Sequence, residues 1–242
     1  MEQNQSRTAL RVATFNIGST YFAGAEGERK LNALLAQSGA ELAGLQEVDF
    51  CNRRHDYDML GKFLEQGTFS HGKFQSAIDF MGGAYGIGTL SKLTPLEVTG
   101  GALPYCGRYE GRAWARMLVQ KDGKQIAFYN THLCVEDPVW RAEQMVYLAR
   151  KLVQDPASYK ILVGDLNVDG GRFELAPLLA HFESANGAEG RYFDTFNRQD
   201  ERMKDYSIDH IFYSPNIRLR QADMIETRLS DHNLLWAELE LL

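Results

Sequence analysis

Cysteine is scarce in this 242-residue chain: Cys51, Cys106 and Cys134 are an odd number in dissimilar contexts, with no CxxC. That argues against a disulfide framework or a thiolate zinc site and leaves three buried or half-buried thiols of a reducing compartment. No run of about 18 apolar residues occurs, so no transmembrane segment is expected. Residues 1–10 (MEQNQSRTAL) lack the basic head and apolar run of a secretory signal, and the sequence reads as soluble and cytoplasmic. There is no Pro-, Ser- or Gly-rich linker, no block of like charges and no internal repeat. One domain over residues 1–242 is therefore expected, with residues 1–9 as a flexible N-terminus. Missing too is any Lys/Arg run interleaved with aromatics, the usual mark of a nucleic-acid track. The formal charge of −6 gives no broad electrostatic footprint for DNA or an anionic membrane, although a local basic rim can still hold a phosphate backbone.

Against these absences stands a clear periodicity. Leu10 to Ile17 alternates as a strand does and ends at Gly18, which places Asn16 at its C-terminal end. Leu31, Leu34 and Leu35 fall at helical spacing in a helix over Glu28 to Gln37 that Gly39 stops. Leu42 to Val48 is a short buried strand carrying Glu47 out at its end. The same strand, helix, strand order returns with Gln125 to Leu133, Val139 to Val153 and Tyr159 to Val163. Further strands are expected over Tyr85 to Ser91, Leu96 to Gly100, Ala113 to Gln120, Ile208 to Tyr213, Ile217 to Met224 and Leu234 to Leu241, with a tight turn at Asp122 and Gly123. Strands with and without intervening helices suggest an α/β fold of two mixed sheets packed face to face with helices outside, a four-layer α/β/β/α sandwich. Polar residues gather where strands finish, the place where such sheets collect ligands.

Six short runs carry the chemistry: FNIG (Phe15 to Gly18), LQEVD (Leu45 to Asp49), NTHL (Asn130 to Leu133), GDLN (Gly164 to Asn167), SIDHIF (Ser207 to Phe212) and SDHNLL (Ser230 to Leu235). Glu47 offers the hard oxygen a divalent cation such as Mg2+ prefers, and Asn16 an amide suited to a metal-bound water or a phosphate oxygen. Asp165 and Asn167, two apart, fall on one side of an extended chain. His132 and His232 are the groups able to exchange protons near neutral pH. Asp209 reads as the partner that fixes the tautomer of His232, Asp231 remains for the metal shell, and His210 points away as packing or surface. No GxSxG elbow or Cys motif supplies a nucleophile, so direct attack by water is expected.

Taken in order, these runs resemble the endonuclease/exonuclease/phosphatase family, the DNase I-like metal-dependent phosphoesterases, over roughly Arg11 to Glu240. The LQEVD run, the following Arg, the GG.YG stretch and Ser91 with Lys92 look similar to bacterial stand-alone hydrolases of that family. The resemblance implies the four-layer sandwich and a metal-dependent phosphoric ester hydrolase using Mg2+, with Mn2+ as the other candidate. It implies a metal held by Glu47, Asn16 and Asp231, water directed by Asp165, phosphate bound by Asn167, and charge stabilised by His232 with Asp209. His132 would lie near the phosphate or leaving oxygen. It also sets Arg112, in YEGRAW with Glu110, near the site, and has Arg141 and Gln144 brace it. Where nucleases of the DNase I type carry an Arg after QEV, this chain has Asp49, an unfavourable neighbour for phosphates, and Arg53 and Arg54 read as a solvated basic turn. The loops His71 to Tyr85, Leu103 to Tyr109 and Arg191 to Phe196 are expected to rim the site. A phosphodiester substrate is expected ahead of a monoester, whether a small molecule, lipid-derived or nucleic acid. A DNase I-like nuclease and a non-catalytic phosphate-binding module are the alternatives.

Overall fold

The computed structural model describes residues 8–105, 107–196 and 206–242. Its strands are β1 (Thr8–Asn16), β2 (Leu42–Phe50), β3 (His71–Phe80), β4 (Gly83–Ser91), β5 (Pro95–Ala102), β6 (Ala113–Lys121), β7 (Lys124–His132), β8 (Tyr159–Asp165), β9 (Glu183–Ser184), β10 (Asp209–Tyr213), β11 (Ile217–Ile225) and β12 (Leu234–Leu241). The helices are α1 (Gly27–Ser38), α2 (Met59–Glu65), α3 (Pro138–Gln154) and α4 (Ala176–Leu179). Sheet one runs β11-β12-β1-β2-β4-β3 and sheet two β5-β6-β7-β8-β10-β9. Each contains one parallel pair, β1 with β2 and β7 with β8, while the other pairings are antiparallel. A parallel pair needs a long crossover, and α1 and α3 supply it. The two mixed sheets with helices outside form the expected four-layer sandwich.

Three apolar layers hold it together. Alternation along β1 sends Leu10 and Val12 inward, where they meet Phe128, Ile161, Val163, Ile211 and Leu239 between the sheets. Ala13 and Phe15, on the other face, join Leu31 and Leu35 of α1 and Phe63 of α2. Behind sheet two, Ala127, Leu162 and Phe212 pack on Met145, Leu148 and Leu152 of α3. Helix α1 ends at Gly39 with φ of 70°, the left-handed C-cap that glycine adopts without a steric penalty. Helix α3 starts where the Asp137 side chain accepts from the N–H groups of Val139 and Trp140, with Pro138 behind it; such a cap is worth roughly 1 kcal/mol.

The structure departs from the expectation in several places. His71 to Tyr85 is a hairpin of β3 and β4 on the edge of sheet one, turned by Met81 and Gly82 at φ of 48° and 85°. It does not line the cleft described below. Helix α2 was not expected, nor was the two-residue β9. Thr8 and Ala9 belong to β1, and residues 1–7 of the expected flexible N-terminus lie outside the described residues. Cys134 is buried, but Cys51 is exposed rather than half-buried; Cys106 lies outside the described residues.

Candidate active site

The four strands of the two parallel pairs deliver their polar residues to one end of the sandwich. Asn16 closes β1, His132 closes β7 and Asp165 closes β8, while β2 carries Glu47. Because β10 runs antiparallel to β8, its first residue, Asp209, pairs with Asp165, and His132 pairs with Asp165 from the other side. Three site residues thus occupy one row across sheet two. His232 arrives just before β12, beside β1. A cavity of about 540 Å³ opens there, lined by Asn16, Glu47, Arg112, His132, Asp165, Asn167, Asp231 and His232 among others.

Asp165 is the hub of the arrangement. Its Oδ2 accepts from Asn16 Nδ2 at 3.0 Å and faces His132 Nε2 at 3.5 Å and His232 Nε2 at 3.6 Å. Oδ1 accepts the Asn167 N–H at 2.9 Å, an Asx turn that puts Asn167 at φ of 51°. The extended geometry expected for Asp165 and Asn167 is therefore replaced by a turn, and the Asn167 amide donates to the Leu133 carbonyl while still lining the cavity. The tautomers follow from donor chemistry. Arg112 can only donate, and its Nη1 lies 3.0 Å from His132 Nδ1, so that nitrogen accepts and the His132 proton sits on Nε2. His232 Nδ1 instead donates to Asp209 Oδ2 at 2.7 Å.

Neighbouring charges then separate the three groups. Burial holds His132 well below the ordinary histidine value, and the Arg112 and His232 charges add to that. Burial opposes the His232 charge as well, but the Asp209 and Asp165 carboxylates overcome it and raise this histidine to about 10. Burial pushes Asp165 up to about 7 in spite of the His232 charge. Burial and these charges thus move the two histidines apart, His132 downward and His232 upward, with the Asp165 carboxyl between them. His210 is buried and directs Nε2 to the Val168 carbonyl, a packing role.

Glu47 does not stand at a strand end. It sits in a bulge, where the pairing of β2 with β4 slips between Gln46 and Val48, and its φ is 60°. Bulges redirect side chains, and backbone in this region costs on the order of 1–3 kcal/mol, tolerated where surroundings over-determine it. Glu47 Oε1 accepts from Asn16 Nδ2 at 3.1 Å. The Asn16 Oδ1 accepts from the Gly18 N–H at 3.0 Å, so Asn16 bridges two carboxylates with its nitrogen. Turning the amide over would set its oxygen against Glu47 and Asp165, so the two carboxylates hold it in this orientation.

Burial raises the Glu47 carboxyl above the usual range, and the Asp231 carboxylate adds to that. Two carboxylates facing one buried cleft fit a hard divalent cation. Asp165, Asp209 and His232 also bring ligand-type atoms within 4.8 Å of one another. That trio suits a metal poorly: a charged imidazole has no lone pair, and Asp209 Oδ2 is engaged by it. Glu47 and Asp231 are the better donors.

Several contributors carry no signal that the motifs alone interpret. Gln46 Nε2 donates to Asn130 Oδ1 at 2.8 Å, and Asn130 Nδ2 reaches the Leu45 and Gly88 carbonyls, so these three contacts tie sheet two to sheet one beneath the site. Ser230 Oγ donates to the Asn16 carbonyl at 2.7 Å and accepts the His232 N–H, fixing the loop that presents His232. At Gly44 the sheets come close together: a Cβ there would lie 2.5 Å from Val163 and 2.6 Å from Asn130. Arg112 pairs with Glu110 at 2.9 Å, and Arg141 with Glu174 at 2.9 Å. Arg141 also donates to the Cys134 carbonyl, and Gln144 accepts the Cys134 N–H, so both hold the segment after His132. Of the three expected rim loops, only Arg191 to Phe196 reaches the cavity, through Phe196; among the described residues of Leu103 to Tyr109, none lines it. The phosphate-repelling part expected of Asp49 is also corrected, because that residue is wholly buried and bound by Arg54 and His55.

A two-sheet sandwich with buried carboxylates and imidazoles at its strand ends defines a hydrolase that works on phosphate esters. The chain belongs to the Endonuclease/Exonuclease/phosphatase family, whose family model matches residues 13–232, and is a phosphoric ester hydrolase of that family. Enzymes of this family are typically dependent on a divalent metal. The fold is similar to that of the endonuclease/exonuclease/phosphatase from Bacteroides vulgatus, with 19% identity, a TM-score of 0.80, and coverage of 97% of this chain and 100% of the other. It is also similar to D. rerio TDP2 complexed with single strand DNA product (17%, TM-score 0.78, 96% and 99% covered). A third similar structure is a mannosyl-6-phosphatase from Bacteroides thetaiotaomicron (19%, TM-score 0.72, 95% and 99%). No curated protein matches the sequence. No described helix is long and apolar enough to cross a membrane.

Proposed function

We propose that the protein is a Mg2+-dependent phosphodiesterase in which water attacks phosphorus directly. The observation that carries this reading is the placement of Asp165 between a neutral His132 and a charged His232, next to the Glu47 and Asp231 carboxylates. Glu47 and Asp231 would hold the metal, with Mn2+ as a substitute, and the ion when bound supplies charge to a non-bridging phosphate oxygen. Asp165, raised to about 7, orients water and takes its proton. His232, kept charged by Asp209, stabilises the negative charge that builds on the phosphoryl group. His132 presents its Nε2 proton to the same oxygens, held in that tautomer by Arg112. Asn16 braces both Glu47 and Asp165.

Charge favours a diester over a monoester. Among the described residues lining the cleft, each buried cation already has an acidic partner: Arg112 with Glu110, Arg141 with Glu174, His232 with Asp209. Beyond the metal itself, the exposed Arg172, 3.8 Å from a Glu174 that Arg141 already holds, is the one lining cation among the described residues without a close acidic partner of its own, and that balance suits a monoanionic diester better than a dianion. Purified protein incubated with bis(p-nitrophenyl) phosphate and with its monoester, in Mg2+ or EDTA, tests this. Diester turnover that needs Mg2+ and disappears in Glu47→Gln is expected. Faster monoester turnover would reverse the substrate assignment, and nicking of supercoiled plasmid as the dominant activity would make it a nuclease.

A further inference from the structure

One polar cluster, built around a buried carboxylate, lies outside the cleft and is used by none of the steps above. It is built on Asp49, whose side chain has no exposure at all. Arg54 grips it with two hydrogen bonds, Nε to Oδ2 at 2.7 Å and Nη2 to Oδ1 at 2.8 Å. His55 Nδ1 reaches Oδ2 at 2.7 Å, and Asn52 Nδ2 donates to Oδ1 at 2.8 Å. The guanidinium is further confined by the Phe80 ring, 4.9 Å from its centre, and by Tyr85 at 5.7 Å. An ion pair of this kind adds little net stability over apolar packing, so what it positions is the informative question.

It positions the Glu47 bulge. Arg54 Nη2 donates to Ser19 Oγ at 2.8 Å, and Ser19 Oγ donates to the Glu47 carbonyl at 3.0 Å. His55 Nε2 lies 3.2 Å from Thr20 Oγ1. Ser19, Thr20 and Glu47 all hold positive φ, at 46°, 59° and 60°, and none is glycine. Three residues in left-handed backbone thus meet one hydrogen-bonded cluster, and the serine that touches Glu47 is buried with only 2% exposure.

We infer that Asp49, Arg54 and Ser19 form a relay of positioning residues that holds the Glu47 backbone in its bulge and so keeps the carboxylate aimed into the cleft for a divalent cation. The inference rests on the proposal that Glu47 holds the metal. Ser19→Ala removes only the bridging oxygen, and Arg54→Lys keeps the charge but loses the fork. Outer partners of metal ligands typically change affinity by about 10–100-fold, so both variants should weaken Mn2+ binding, followed by calorimetric titration, by about tenfold or more. Their melting temperatures without metal should stay near wild type. Saturating Mg2+ should return much of the lost diester turnover, because the reacting groups are untouched. Wild-type Mn2+ affinity in both variants, with Glu47→Gln failing to bind, would overturn the relay and leave the metal assignment standing. Undiminished binding by Glu47→Gln would overturn the metal assignment, and the relay with it.

Discussion

His132 and His232 approach the same Asp165 oxygen at nearly equal distances, 3.5 and 3.6 Å, and both are buried. Burial alone would make them alike, since it disfavours the imidazolium in each. What differs is the group behind the ring. Arg112 stands behind His132 and can only donate, so the ring is kept neutral; Asp209 stands behind His232 and can only accept while ionised, so the ring is kept charged. One cleft therefore holds a neutral donor and a cation side by side, and the assignment is made by partners outside the reacting groups.

The largest test of this contrast removes the rings. His232→Ala should lower diester turnover by at least about a hundredfold, as expected when a positioned charge stabiliser is lost, with the fold intact by circular dichroism. His132→Ala should cost closer to tenfold, below the hundredfold or more of a general acid or base, because its neutral ring only donates a hydrogen bond. Equal losses would erase the distinction.

Next comes the partner. The rate profile of the wild type should rise through about 7, where the Asp165 carboxyl loses its proton, and fall through about 10, where the His232 ring loses its own. Asp209→Asn removes a carboxylate that favours the imidazolium, so the falling limb should move to lower pH. A limb that stays put would detach it from His232.

A finer probe uses Arg112→Met. Its charge is the second cause, after burial, that depresses His132, so the ring should titrate at higher pH in the variant, though still below an exposed histidine. NMR of the imidazole carbons in metal-free protein reads this directly; an unmoved resonance would mean that the guanidinium does not act on it.

The smallest effect is on stability. His232 has its value raised in the folded state, so its contribution is complete below about 6.5 and is lost as pH rises through about 10. Denaturant midpoints of the metal-free protein should decline across that window, and less so in Asp209→Asn. A parallel decline in both would assign the loss to other groups.

The frame of the site was readable from sequence where local rules govern it. Period-two runs ending in polar residues located β1, β7 and β8, and the order of FNIG, LQEVD, NTHL, GDLN and the two Asp-His runs named the groups gathered at their ends. What stayed hidden depends on distant partners. Leu42 to Val48 reads as a strand that ends beside Glu47, because nothing local says that the strand runs on to Phe50 and that β4 slips past it at Glu47. The Asn16 amide is oriented by Asp165, 149 residues away. Asp49 looks exposed and acidic until Arg54 and His55 fold over it. β3 is hard to read because HGKFQSAIDF mixes polar and apolar residues and lies half-buried along the edge of its sheet, giving weak alternation.

The absence of a side chain at Gly44 has a reach beyond its own strand. Glu47 and Asn16 ride on one slab of the sandwich, His132, Asp165 and Asp209 on the other, and the bare α-carbon at Gly44 is where the slabs nearly touch. A single methyl group inserted there would act as a wedge, prising the halves apart at the foot of the cleft and spoiling the catalysis without altering one reacting atom. The enzyme's tolerance to mutation should accordingly be poor at a spot that no substrate ever meets.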